Sequence, residues 1–136
     1  MRTALRTATL AGTALLAFTA MSTSASAGTT VSVNTTDSTP GGTGIFWHYI
    51  DGDINTEAFG ARDNQADGLR AITTITWRSG GALVTRTVED ANGANPVESE
   101  IKTVKIPEGT DVTIQVCLKD GPNGRHRFCD HKVAKA

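Results

Sequence analysis

Residues 112–133 read VTIQVCLKDGPNGRHRFCDHKV, and the fold is decided there. Val112, Ile114, Val116 and Leu118 alternate with Thr113, Gln115, Cys117 and Lys119, the two-residue period of a strand with one apolar and one polar face. Pro122-Asn123-Gly124 fits a three-residue hairpin loop, with Pro at the first turn position and Gly at the left-handed one. Closing that loop with Gly121 opposite Arg125 sets Leu118 opposite Phe128 and Cys117 opposite Cys129. Phe128 then joins the apolar core face, and the two cysteines, the only ones in the chain, meet on the outer face. A bridge closing a loop of about 13 residues is worth on the order of 3 kcal/mol by chain entropy, and its expected role is to pin the hairpin. Two free thiols, or a zinc site drawing in His126 and His131, are the alternatives.

An oxidising compartment makes the bridge the default, and the N-terminus supplies that compartment. Arg2 and Arg6 precede an apolar run from Leu10 to Ala20, and Ala25-Ser26-Ala27 forms a small-residue cleavage site. Residues 1–27 are therefore expected to be a signal peptide, with Gly28 the first mature residue. The apolar run is about half of the roughly 20 residues a membrane span needs. The two arginines are not adjacent, which favours general secretory export over the twin-arginine route. The alanine- and threonine-rich leader resembles those of high-GC actinobacteria.

The 109 residues left after cleavage suit one domain with one modest core. Of 13 basic residues two lie in the leader, while all 14 acidic ones lie beyond it, so the mature net charge is −3. That excludes a general nucleic-acid binder, which needs a basic surface. Charge is uneven: Asp37 to Asp67 holds six carboxylates and Arg62, whereas Lys119 onward holds five basic residues and two acids.

Residues 28–43 form a polar lead-in that is either flexible or a short edge strand, and the domain proper is expected over 44–136. Short β-branched and aromatic segments punctuated by Gly, Asn, Pro and Asp mark seven strands. They are Gly44 to Ile50, Asp53 to Phe59, Arg70 to Arg78, Ala82 to Glu89, Val97 to Ile106, Asp111 to Lys119 and Arg125 to Val133. No window shows helical apolar spacing, and there is no internal repeat. Seven antiparallel strands in so short a chain predict an all-β sandwich, immunoglobulin-like or related, because two packed sheets bury faces that one sheet would expose. A small closed barrel is the alternative.

Candidate chemistry is sparse. Asp51, Asp53, Asn55 and Glu57 sit at alternate positions as in a calcium loop, but Thr56 stands where such a loop has Gly and Arg62 where it has its bidentate Glu. On a strand those four residues would share a solvent face. Asp53, Glu57, Asp63 and Asp67 are candidate carboxylate pairs for glycoside hydrolysis. His48, His126 and His131 are the available bases, yet Ser32, Ser38, Ser79 and Ser99 lie in no nucleophile turn. No glycine loop leads into a helix to cradle phosphate, and no cofactor motif is present. Phe46, Trp47 and Tyr49 form a dense aromatic strand in which Trp47 and Tyr49 face opposite to Phe46 and His48. With Trp77 they are the candidate ring platform, and Arg125 and Arg127 on the C-terminal hairpin are the candidate basic contacts.

Asp51-Gly52-Asp53, Gln65-Ala66-Asp67-Gly68, Ile106-Pro107-Glu108-Gly109-Thr110, Val116-Cys117-Leu118-Lys119-Asp120-Gly121 and a closing Cys129 occur in an order that resembles small secreted actinobacterial, Streptomyces-like β-sandwich proteins of unknown function. The likeness covers roughly Gly44 to Ala134. It implies a secreted β-sandwich and supplies no catalytic residues. Some relatives carry a further cysteine pair in mid-domain, which this chain lacks. The expected function is non-enzymatic recognition of an extracellular protein or cell-wall polymer, without nucleic acid and without a membrane span after cleavage. The rival expectation is a secreted inhibitor of a protease or glycosidase, presenting loops Gly60 to Gly68 or Ala91 to Pro96.

Overall fold

The computed structural model describes residues 28–50, 52, 53, 55–94 and 99–136; the expected leader, Asp51 of the calcium-like run and the end of the 91–96 loop lie outside them. The described residues form no helix and eight strands: β1 (Val31–Asn34), β2 (Gly42–Trp47), β3 (Glu57–Asp63), β4 (Leu69–Ser79), β5 (Ala82–Asp90), β6 (Glu100–Val104), β7 (Asp111–Asp120) and β8 (Arg127–Lys135). Two antiparallel four-stranded sheets, in the orders β1-β2-β3-β6 and β5-β4-β7-β8, pack into a sandwich. It is of the related rather than the immunoglobulin kind, since its first three strands are neighbours in one sheet instead of dividing between two.

The centre of the second sheet follows the expected alternation. Along β4, Ala71, Thr73, Ile75 and Trp77 point inward and pair with Leu118, Val116, Ile114 and Val112 of β7. All eight are buried, and from the first sheet Val33, Phe46, Phe59 and Ala61 pack against them. Each large apolar side chain so buried contributes about 1.5–3 kcal/mol.

The first sheet departs from expectation. Of the two readings of the lead-in the edge strand holds, since Val31–Asn34 pairs with Phe46–Thr43, and the sandwich therefore begins before residue 44. The second expected strand lies later in the chain, because Glu57–Asp63 forms β3 and residues 60–63 are strand instead of loop. Alternation hides β3, since Ala58 and Gly60 on its outer face are covered as well as the inner residues. The Trp47 ring accounts for part of this cover, lying 3.0–3.1 Å from where a Gly60 Cβ would stand. Glu57, expected on a solvent face, is wholly buried, and its Oε2 accepts the Ile106 amide at 2.9 Å.

The C-terminal hairpin also needs one correction. From Val116↔Asp130 to Asp111↔Lys135 the register is the expected one, but Leu118 lies opposite Arg127, not Phe128. Two residues of β8, Phe128 and Cys129, thus oppose Cys117 in a bulge. Positive φ occurs at Gly121 and at Phe128 (φ 54°), not at Gly124. Gly124 is held instead by close approach, for a Cβ there would strike the Asp120 backbone. The left-handed residue has moved from the loop into the strand, and Phe128 is turned out to 45% exposure instead of joining the core. An L residue in that region costs on the order of 1 kcal/mol. The Cys117–Cys129 disulfide forms across the bulge with Cα atoms 4.2 Å apart. Cys117 shares the outer face with Thr113 and Gln115 and is buried beneath the bridge.

Both open sides of the sandwich are closed alike. Lys102 of β6 reaches the Thr87 carbonyl of β5 at 2.9 Å, and Lys132 of β8 reaches the Ser32 carbonyl of β1 at 2.7 Å. Each lysine spans the two sheets and occupies an acceptor of an edge strand, which blunts that edge for further pairing.

Between the sheets, β2 presents Gly42, Gly44 and Phe46 inward, and its glycines let the opposite sheet approach. A Cβ on Gly44 would stand 2.9 Å from Thr73 Oγ1 and 3.0 Å from Val116 Cβ. Overpacking a core in this way costs about 1–3 kcal/mol. Gly44→Ala is therefore expected to lower the unfolding free energy by that amount, seen as a fall in the urea midpoint with an unchanged slope; an unaffected midpoint would show the sheets to be less closely docked than described.

Candidate functional site

The outer face of the second sheet is a regular field of side chains four strands wide. Reading across β5, β4, β7 and β8, its rows are Glu89–Ile72–Cys117–Cys129, Thr87–Thr74–Gln115–His131, and Thr85–Thr76–Thr113–Val133. The strand spacing of about 4.8 Å and the repeat of roughly 6.8 Å along each strand fix this grid. Threonine predominates here for a local reason: its branched Cβ suits the pleat and its hydroxyl suits solvent.

Two shallow depressions adjoin on this face. One, of about 390 Å³, is lined by Thr74, Thr76, Thr113, Gln115 and His131. The other, of about 410 Å³, shares Thr76 and Thr113 and continues past Trp77, Arg78 and Leu83 to Thr110 and Asp111. Together they make a groove in which Thr74, Thr113 and Gln115 have no side-chain hydrogen-bond partner among the described residues, while Thr76 and Thr85 lie a marginal 3.5 Å apart. A hydroxyl both donates and accepts, and an amide offers both groups, so the groove presents unspent hydrogen-bonding capacity.

Fixed charges stand at the ends of the field, most of them paired with one another, while Arg78 reaches only the Gly81 carbonyl at 3.4 Å. At one end Glu89 bonds Arg70 at 2.9 Å and Lys119 at 2.5 Å, and Lys119 also donates to the Pro122 carbonyl. At the other, Lys135 meets Asp111 at 2.6 Å. Burial by itself would raise the Glu89 carboxyl, but the hydrogen bonds and charges of Lys119 and Arg70 outweigh it and hold the group below the usual range.

The expected site residues are dispersed. Trp77 is 5% exposed and belongs to the core, with the Arg86 guanidinium 6.0 Å from its ring centre. Trp47 lies half-buried on the other sheet, and β2 ends there: His48 is a bend and Tyr49, 57% exposed, follows it outside the strand. No platform unites these rings. Arg125 and Arg127 are exposed as expected, beyond the disulfide end of the groove.

The candidate carboxylates divide between the two ends of β3. Asp53 is spent on the Asn55 amide and Thr56 hydroxyl, at 3.0 and 2.7 Å; Glu57 is buried in the core. At the other end Asp67 accepts the Leu69 amide, and Asp63 is 3% exposed. Burial pushes the Asp63 carboxyl up; the Gln65 amide opposes this, while the charges of Asp67 and Asp90 add to it. Among the described residues no three His, Cys, Asp or Glu side chains come together as a metal-binding group. The loop after β3, one of the two proposed for an inhibitor, is only residues 64–68; Asn64 ties it to Pro40 and Thr43, and Gln65 to Thr39.

Compared with protein-family models, curated proteins and solved structures, the chain has no significant match. The site therefore rests on its own geometry. Alternation along four strands predicts its outward residues, and the hairpins β4–β5 and β7–β8 were legible, but that β4 lies beside β7 was not, and the field emerged only from the strand order.

A carboxylate held below its usual range stabilises the fold above its unfolded pKa, and that contribution disappears as pH falls through the folded value. Glu89→Gln is expected to cost up to about 1 kcal/mol at pH 7. Urea titrations of both proteins should converge as pH falls below the usual carboxylate range; a difference independent of pH would mean that the ion pairs contribute nothing.

Proposed function

We propose that this chain is an exported, non-enzymatic recognition module of the cell envelope, which holds an extended, hydroxyl-rich polymer along the outer face of its second sheet. The observation that carries this reading is the continuous groove lined by Thr74, Thr76, Thr113, Gln115 and His131. Its hydroxyl and amide side chains can donate to and accept from sugar hydroxyls, and those of Thr74, Thr113 and Gln115 have no side-chain partner among the described residues. A polyhydroxylated ligand suits the groove because the carboxylates around it are paired, Glu89 with Arg70 and Lys119 and Asp111 with Lys135, while Arg78 in its lining has no ion pair among the described residues. The reading as a binder is supported by the lining, in which the one carboxylate, Asp111, is engaged by Lys135.

Export is supported by the charged, apolar and small-residue order of residues 1–27 and by the disulfide, which an oxidising compartment maintains. A rigid sheet face also suits recognition outside the cell, since little conformational entropy is lost when it binds.

Insoluble peptidoglycan or chitin should retain the mature protein in a pull-down. Thr76→Val with Thr113→Val preserves shape and strand preference while removing two hydroxyls, and is expected to weaken retention about tenfold with unchanged circular dichroism. Recovery of all the wild-type protein in the flow-through, or equal retention of the variant, would overturn the reading.

A further inference from the structure

Beyond the disulfide end of the groove, the chain from Arg125 to Phe128 forms an exposed knuckle whose backbone the bulge dictates but whose aromatic residue the fold does not require. Phe128 combines two unfavourable states, a left-handed backbone on an L residue and a phenyl ring 45% exposed to water. Glycine would relieve both. Backbone strain of this sort persists where neighbouring structure enforces it, and it concentrates at working surfaces. Here the enforcement is visible: the Cys117–Cys129 bridge clamps the bulge, and the Phe128 carbonyl accepts the Thr36 amide at 2.9 Å. The ring is thus presented, not merely left over.

Arg125, His126 and Arg127 are exposed beside it. Neither arginine forms an ion pair among the described residues, nor do Arg78 and Arg86 on the same sheet, whereas Arg70, Lys119 and Lys135 do. Of the acids nearby, Asp130 is occupied by the His131 amide at 2.8 Å and Asp120 is solvent-exposed. Guanidinium groups are suited to oxyanions through paired hydrogen bonds, and an aromatic face next to them covers the apolar part of the same ligand.

We propose that the knuckle is an anion-binding contact for a linear polyhydroxylated polymer that carries repeated phosphodiester or uronate groups. Arg125 and Arg127 bind the oxyanions, and the Phe128 ring packs against the intervening carbon skeleton. The preference for a hydroxylated polymer over an acidic peptide rests on the groove reading above, because a chain leaving the knuckle past the disulfide runs onto His131, Gln115 and the threonines. The anionic contact itself uses separate residues.

The test measures binding of the mature protein to poly(glycerol phosphate), polygalacturonate and poly-L-glutamate, with chitin retention followed in parallel. One of the first two polymers is expected to bind at least tenfold more tightly than poly-L-glutamate, with affinity falling as salt rises; which one binds identifies the anion. R125Q with R127Q is expected to lose tenfold or more of that affinity while chitin retention is unchanged. F128G is expected to melt at the same or a higher temperature and yet bind about fivefold more weakly, an outcome that a purely structural Phe128 would not give. Equal binding of poly-L-glutamate, no binding of either anionic polymer, or unchanged affinity in R125Q with R127Q or in F128G would overturn the proposal. If chitin retention fails while arginine-dependent binding of the anionic polymer persists, the groove reading falls and the knuckle stands.

Discussion

The pairing of β4 with β7 is the constraint on which the rest depends. Nine consecutive residue pairs place Ala71, Thr73, Ile75 and Trp77 beside Leu118, Val116, Ile114 and Val112 on the inner face. The same register necessarily places Ile72, Thr74 and Thr76 beside Cys117, Gln115 and Thr113 on the outer one. A slip of one residue would expose the core and bury the threonines, so burial of apolar surface also specifies the groove. Core and candidate site are the two faces of a single ladder.

Where the hydrophobic pattern obeys the strand period, the fold was legible. β4, β5 and β7 were read to within a residue or two at each end, and the disulfide pairing followed from counting along the hairpin. The first sheet resisted because its residues break the rule for physical reasons. Gly42 and Gly44 face inward without apolar side chains, since the opposite sheet approaches too closely for any. Ala58 and Gly60 face outward yet are covered, in part by Trp47. A buried glutamate begins β3, satisfied in part by an amide nearly fifty residues away. Such compensations belong to tertiary structure and leave no local signature.

The candidate site divides in the same way. Arg125 and Arg127 were singled out because a charge excess in a short segment is visible without knowing the fold, and the structure leaves both exposed. The aromatic platform was not found as expected, because the alternation was carried through Trp47 into Tyr49, where the strand has already ended, and because Trp77 alternates into the core. Phe128 was assigned to the core on a loop register in which Gly124 absorbs the left-handed conformation. Two glycines flank that turn, and the chain places positive φ at Gly121 instead; nothing in the sequence ranks one above the other. The resulting one-residue offset is what turns the ring outward.

The edges decide which surfaces remain for recognition. A β-sandwich invites partners in two ways, by extending a sheet at an open edge or by contact on a sheet face. Here each open side carries a lysine, Lys102 on one and Lys132 on the other, whose ammonium bonds the carbonyl of the facing edge strand. An incoming strand would have to displace that bond and accommodate a charged side chain next to its own backbone. Among the described residues no comparable obstacle lies across the outer face of the second sheet, where Thr74, Thr113 and Gln115 have no side-chain partner. The arrangement therefore opposes pairing along the edges and leaves the outer face of the second sheet, with the basic knuckle at its end, open to contact.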